Sequence, residues 1–213
     1  MNHVRVRGHR WRCALLAGLC AAPAAGAGSA LAQTGDWQED ALARARAVHL
    51  ETLPEDCDLP GTRPESDAAE TAYPIRIGET DAQREALLVE FPCFFGAYNL
   101  VYVYVLADQD GNAAPVPFPN PVLDVRYADG DAQTVVEAVT ISEIADRREV
   151  FNPQFDPETL TLEANGKWRG LADAFDVTRW AFRDGAFRIV YFAVDASFDF
   201  EITPVVLIDE EIR

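Results

Sequence analysis

Lysine is nearly missing from this chain: of 18 basic residues only Lys167 is a lysine. Histidine is scarce as well, and His49 is the only one of the three beyond residue 10. A single histidine cannot build a His-rich zinc site. A serine or cysteine hydrolase would have to use His49 as its base, and no Gly-x-Ser-x-Gly elbow is present. Ser66, Ser142 and Ser197 stand in no recognisable catalytic setting. There is no Gly-rich phosphate loop and no basic patch interleaved with aromatics. Acids outnumber bases 35 to 18, for a net charge of −17. Such a surface repels nucleic acid and anionic lipid and favours a cationic partner or divalent cations. The plainer consequence of the same charge is solubility.

What the chain does have begins at its start. Arg5, Arg7, Arg10 and Arg12 precede an apolar run from Cys13 through Ala22, and Ala30-Leu31-Ala32 fits the small-x-small pattern of a signal peptidase site. Residues 1–32 read as a secretory signal peptide. The apolar core is too short, and too broken by Pro23, Gly26 and Gly28, to span a bilayer. The mature protein is expected to begin near Gln33, in the periplasm or outside the cell, with no integral membrane segment. Cleavage would remove four arginines and no acid, deepening the negative charge.

Of the four cysteines, Cys13 and Cys20 lie in the leader. Leu19 before Cys20 does not suit a lipoprotein anchor. Cys57 and Cys93 remain, and an even pair in an oxidising compartment reads as a disulfide. By chain entropy, closing that loop stabilises the fold by about 3–4 kcal/mol. A reactive thiol pair would need closer spacing and a basic neighbour.

The chain is expected to fall into three parts: the leader over residues 1–32, helix and linker over 33–54, and one β-rich domain over 55–213. Asp36 and Glu39 resemble a capping box, and Trp37, Ala41, Ala45 and Val48 share a helical face, which predicts a helix over 37–50. From Pro54 to Pro74 the composition is that of an extended loop. Beyond it the pattern is β. Tyr98 to Leu106 is apolar on both faces, which predicts a central strand covered on both sides. Further strands are expected near 121–128, 133–141, 148–152, 159–164, 178–183, 186–194 and 199–208. Asp110-Gly111, Asp129-Gly130, Asn165-Gly166 and Asp184-Gly185 are hairpin dipeptides at intervals of 19, 36 and 19 residues, with Asp146-Arg147 as a further turn inside the long interval. The expected fold is all-β: an antiparallel meander of hairpins, as in an open barrel or part of a propeller, with a short N-terminal helix. The strands lack the lipid-facing alternation and aromatic girdles of a membrane barrel.

Three segments carry a family resemblance: Pro92-Cys93-Phe94-Phe95-Gly96-Ala97-Tyr98-Asn99, the run from Phe151-Asn152-Pro153 to Leu162, and the run from Trp180 to Ile189. In this order the chain resembles an exported bacterial family catalogued as domain of unknown function 1176, over roughly residues 55–200. The resemblance implies an exported, mostly β domain of the bacterial envelope and assigns no activity, cofactor or catalytic residue. The family pattern has a further cysteine pair around the last hairpin. Here Ala172-Asp173-Ala174 and Phe198-Asp199-Phe200 carry none, so packing is expected to replace a bridge.

Two clusters are candidate binding residues. Phe94, Phe95, Tyr98, Asn99 and Tyr102 could form an aromatic face with Asn99 orienting a ligand, or be core with Asn99 satisfying a bend beside Gly96. Trp168 and Arg169, next to Lys167, could grip a carboxylate or stack on a sugar, or simply cover an edge. Asp108-Gln109-Asp110-Gly111-Asn112 resembles a calcium loop but places Ala113 and Pro119 where an EF-hand needs Gly and Glu. No cofactor or metal is indicated. The function expected is that of a non-catalytic envelope binding domain, with a cationic protein or envelope component as partner; one form of this is an inhibitor of a basic enzyme. The alternatives are a carboxylate-dependent polysaccharide hydrolase drawing on Asp173, Asp176, Asp195, Asp199 or Glu201, and a purely structural envelope protein.

Overall fold

The computed structural model describes residues 36–54, 57, 70–78 and 83–210, all of them within one compact unit, Ala32–Arg213. The proposed leader and nearly all of the loop over 55–69 lie outside the described residues. No helix among the described residues is long and apolar enough to cross a membrane.

Helix α1 spans Asp36–Glu51. Ala41 and Ala45 are fully buried. Their small side chains let the helix lie close on a sheet, with Trp37, Leu42 and Val48 packed beside them. This is the face predicted from spacing. The sheet beneath has the order β1 (Thr71–Ile77), β2 (Arg84–Phe95), β3 (Leu100–Asp108), β4 (Ala113–Pro115), with a fifth short strand also on β3. Pairing is antiparallel, with Glu90 opposite Tyr104 and Val89 opposite Val105. Period-two alternation then sends Leu87, Val89, Phe91, Val103 and Val105 to the helix. Leu88, Tyr104 and Leu106 go to the other side. β3 is therefore covered on both faces, as its sequence predicts. Cys57 and Cys93 form the predicted disulfide, which ties the chain after α1 to β2.

β5 (Phe118–Tyr127) and β6 (Val136–Arg147) form a separate two-stranded ribbon. The chain then adds β7 (Val150–Phe151) to β3. The second sheet has the order β12 (Val205–Asp209), β11 (Ala186–Asp195), β10 (Phe175–Arg183), β9 (Thr161–Lys167), β8 (Gln154–Asp156). The main core lies between the two five-stranded sheets. There Phe118 sits 5.4 Å from Tyr104, 5.3 Å from Trp180 and 4.8 Å from Phe187, and Trp180 Nε1 donates to Pro119 O at 2.7 Å. A third apolar cluster packs the ribbon's Leu123, Val125, Val139 and Ile141 on Phe192 and Val194. The fold is all-β and antiparallel with one N-terminal helix, and its sheets are open.

Three local expectations need correcting. Asn165-Gly166 is not a turn: the two residues sit within β9, opposite Val177 and Asp176. The reversal falls at 168–174. Asp146-Arg147 belongs to β6, and the reversal comes two residues later. The strand expected over 199–208 is confined to Val205–Asp209, because Phe200 adopts φ +70° and breaks the extended run before it.

Candidate functional site

The connection 168–174 between β9 and β10 is built by its own backbone. Trp168 N donates to Ala174 O at 2.9 Å and Ala172 N to Arg169 O at 3.0 Å. Ala172 takes φ +57°, a left-handed conformation that costs a residue with a Cβ about 1–2 kcal/mol. The loop presents different chemistry on its two sides.

On the outer side, Arg169 donates Nε to Asp173 Oδ1 at 2.6 Å and Nη2 to Asp173 Oδ2. Asp173 is buried, and its Oδ2 also accepts the backbone N–H of Phe200 at 2.9 Å. The Arg169 guanidinium, reinforced by that N–H, holds the Asp173 carboxyl well below the usual range against the opposing effect of burial. The Arg169 Cζ lies 5.1 Å from the Phe198 ring centre and 4.9 Å from that of Phe200, within cation–π range. Phe200 is nonetheless 74% exposed, with Leu171 at 64% and Ile202 at 69%. Val205 and Val206 of the edge strand β12 are exposed beside this segment in sequence. A strained, anchored and exposed aromatic is thus held out on a clamp.

On the inner side, Trp168 Nε1 donates to Asp176 Oδ1 at 2.8 Å. Gly166 stands directly opposite Asp176. A Cβ on Gly166 would come within 2.9 Å of Oδ1, so only glycine leaves room for this carboxyl. Both residues line a cleft of about 370 Å³ with Trp168, Arg147, Glu149, Pro121, Leu123 and Phe192 among its walls. Burial pushes the Asp176 carboxyl up, opposed by the Trp168 N–H and by Arg147.

The candidates named from sequence separate into groups. Tyr98, Asn99 and Trp168 meet at one corner. Asn99 Nδ2 donates to Lys167 O at 2.8 Å and its Oδ1 accepts Lys167 N at 3.1 Å. Asn152 Nδ2 donates to the same Oδ1 at 2.8 Å, and the Tyr98 hydroxyl reaches Trp168 O at 3.3 Å. Asn99 thus joins the β2–β3 bend to the edge of the second sheet. Phe94 packs with the helix-side cluster, whereas Tyr102 packs against the main core with Phe95 6.1 Å from it. These three do not form one face. Asp108 accepts from Asp110 N, Asn112 N and Asn112 Nδ2 at 3.0, 2.9 and 2.8 Å, so the calcium-like spacing serves a turn. His49 stacks on Phe91 at 4.2 Å.

Of the five acids considered for hydrolysis, Asp176 alone lines this cleft. Asp195 accepts from Ser197 N, Ser197 Oγ and Thr203 N, and Asp199 accepts Glu201 N. Sequence reasoning missed Phe198, Phe200, Leu171 and Ile202 as a surface. Alternation in the strand expected over 199–208 would have put Phe200 and Ile202 on one face, and nothing local signals the positive φ of Phe200. It also missed Arg147 and Glu149, which reach the cleft only through the ribbon's return to the first sheet. The segments that carry no cysteine are joined by the Phe200 N–H on Asp173 and by packing, with Arg169 over the Phe198 and Phe200 rings and Trp168 6.3 Å from Phe198.

The model of a family described as protein of unknown function matches residues 20–196. No curated protein and no solved structure matches the chain.

Proposed function

The chain belongs to DUF1176, a family of proteins of unknown function, and we propose that this member is an exported, non-catalytic binding domain that docks a cationic protein of the envelope. The leader pattern and the Cys57–Cys93 bridge support export. The net charge of −17 supports steering of a basic partner. The observation that carries the reading is Phe200, exposed at 74% yet fixed by Asp173 and Arg169. Rigid exposed aromatics surrounded by apolar neighbours are the usual anchors of protein interfaces. Leu171, on the loop that carries Arg169, and Ile202, two residues after Phe200, are exposed apolar side chains as well.

The test is cross-linked capture from envelope extract, comparing native protein with Phe200→Gly and Ile202→Ser. A basic partner that saturates the native protein is expected to bind Phe200→Gly at least about 30-fold more weakly, the loss typical of an interface anchor. Equal capture by the variants would overturn the reading. A polysaccharide hydrolase is the second reading, favoured by the raised Asp176 carboxyl and the presence of Glu149 in the same cleft. It predicts polysaccharide turnover that Asp176→Asn abolishes with the melting temperature unchanged.

A further inference from the structure

The cleft behind Trp168 has features that docking on Phe200 does not use. Its volume of about 370 Å³ falls at the small end of ligand sites, about 300–1,000 Å³. Its polar side chains carry both signs of charge. Asp176 and Glu149 are carboxylates, Arg147 is an exposed guanidinium, and Asn120 adds an amide that both donates and accepts. Thr178 is 1% exposed and lines the same cleft. Its hydroxyl makes no hydrogen bond among the described residues, yet it is not one of their enclosed polar atoms without a partner, so it opens into the cleft. Asp176 Oδ1 holds the Trp168 N–H, and Oδ2 is open in the same way as the Thr178 hydroxyl. The Trp168 indole, partly exposed and fixed by that hydrogen bond, lines the cleft together with apolar Pro121, Leu123 and Phe192.

These features select among ligand classes. A purely apolar ligand would strip water from these polar side chains and pair none of them. A simple cation offers no acceptor to Arg147 or Asn120, and a simple anion offers no donor to Asp176 or Glu149. Among the described residues no group of three histidines, cysteines or acids could hold a metal ion. A sugar ring serves donors and acceptors together, because each hydroxyl both donates and accepts. Its hydroxyls can donate to Asp176 and Glu149 and accept from Arg147, Asn120 and Thr178, while its C–H face packs on an indole. An acidic sugar would meet both carboxylates and a chain of net charge −17, so the charge favours an uncharged one.

We propose that the cleft binds one neutral sugar ring, free or as a unit of a glycan, packed on Trp168 with its hydroxyls on Asp176, Glu149, Arg147 and Asn120. Gly166 belongs to this site, since a Cβ there would come within 2.9 Å of Asp176 Oδ1 and displace the carboxyl that receives the sugar. The site is separate from the Phe200 surface and does not rest on the docking proposal. It shares Asp176 and Glu149 with the hydrolase reading but needs no bond to be cleaved.

The test titrates the disulfide-bonded protein with D-glucose, D-galactose, D-mannose and N-acetyl-D-glucosamine, followed by calorimetry and by tryptophan fluorescence. The uronic acids of the three hexoses are the charged controls. Saturable binding of at least one neutral sugar is expected, with each uronic acid weaker than its parent by about tenfold or more. Raising salt should leave the affinity unchanged, because an uncharged ligand is not screened. Oligosaccharides of the bound sugar separate the two sources: affinity that rises with chain length assigns the site to a glycan, and affinity fixed by the first ring assigns it to a free sugar. Trp168→Leu, Glu149→Ala and Arg147→Ala should each weaken binding by about tenfold, while Phe200→Gly leaves it unchanged. Arg147 is exposed, so its variant reports on binding even where Trp168→Leu perturbs the fold. No saturable response to any of the four sugars up to tens of millimolar would overturn the proposal. So would a uronic acid that binds as well as its parent, an affinity that falls with salt, or binding indifferent to Arg147→Ala.

Discussion

Phe200 and Asp173 are where single residues decide most. Phe200 holds φ +70° without being glycine, a conformation that costs about 1–3 kcal/mol and persists where surroundings enforce it. Replacing it by glycine removes both the strain and an exposed ring. Thermal melting should therefore show Phe200→Gly as stable as the native protein, or more so, whereas an ordinary core phenylalanine would cost about 3–5 kcal/mol on truncation. Asp173 supplies the clamp, and its carboxyl is depressed by Arg169 and by the Phe200 N–H. A depressed carboxyl stabilises the fold fully above its unfolded value, near 3.8, and that stability is lost as pH falls below it. Melting curves from pH 7 to pH 2 should thus fall more steeply for native protein than for Asp173→Asn; parallel curves would refute the clamp. Glu90 has the opposite sign. Burial raises its carboxyl, although the Tyr104 hydroxyl donates to it. Its contribution is lost as pH rises, so Glu90→Gln should melt above native at pH 7 and lose that advantage toward pH 4.

Among the elements, α1 and β3 were legible because their patterns are local. Ala41 and Ala45 mark the buried stripe by spacing alone, and the run from Val101 to Val105 is apolar on both faces wherever the chain places it. The β9–β10 connection was not legible. Asn165-Gly166 has the composition of a hairpin turn, yet Gly166 serves a different need: it leaves room for the Asp176 carboxyl on the neighbouring strand. That need arises only from cross-strand register, which no short stretch of sequence displays. The Asn99 side chain bonds the Lys167 backbone and the Asn152 amide, groups of remote segments that the stretch around Gly96 does not display. Gly166→Ala should break the Trp168–Asp176 hydrogen bond, cost about 1–3 kcal/mol by overpacking, and alter tryptophan fluorescence. An unchanged spectrum and melting point would mean the carboxyl is not held as described.

At the scale of the whole molecule, one loop, 168–174, stands between two candidate surfaces, with Arg169 beside Phe200 and Trp168 bonded to Asp176. The disulfide fastens the helix end to β2, and removing it through Cys57→Ser with Cys93→Ser should cost about 3–4 kcal/mol by chain entropy. Fold class, helix and bridge could be read from the chain, but the two surfaces join segments remote in sequence, as with Asp173 and Phe200, 27 residues apart, or Arg147 and the β9–β10 loop. The net charge of −17 acts at long range. Raising salt should slow association with a basic partner by about tenfold or more while leaving dissociation nearly unchanged. The most direct measurement is the affinity of the captured envelope partner for native protein and for Phe200→Gly, at matched melting temperature. A loss of about 30-fold or more in the still-folded variant is the predicted result, and undiminished affinity would contradict the account.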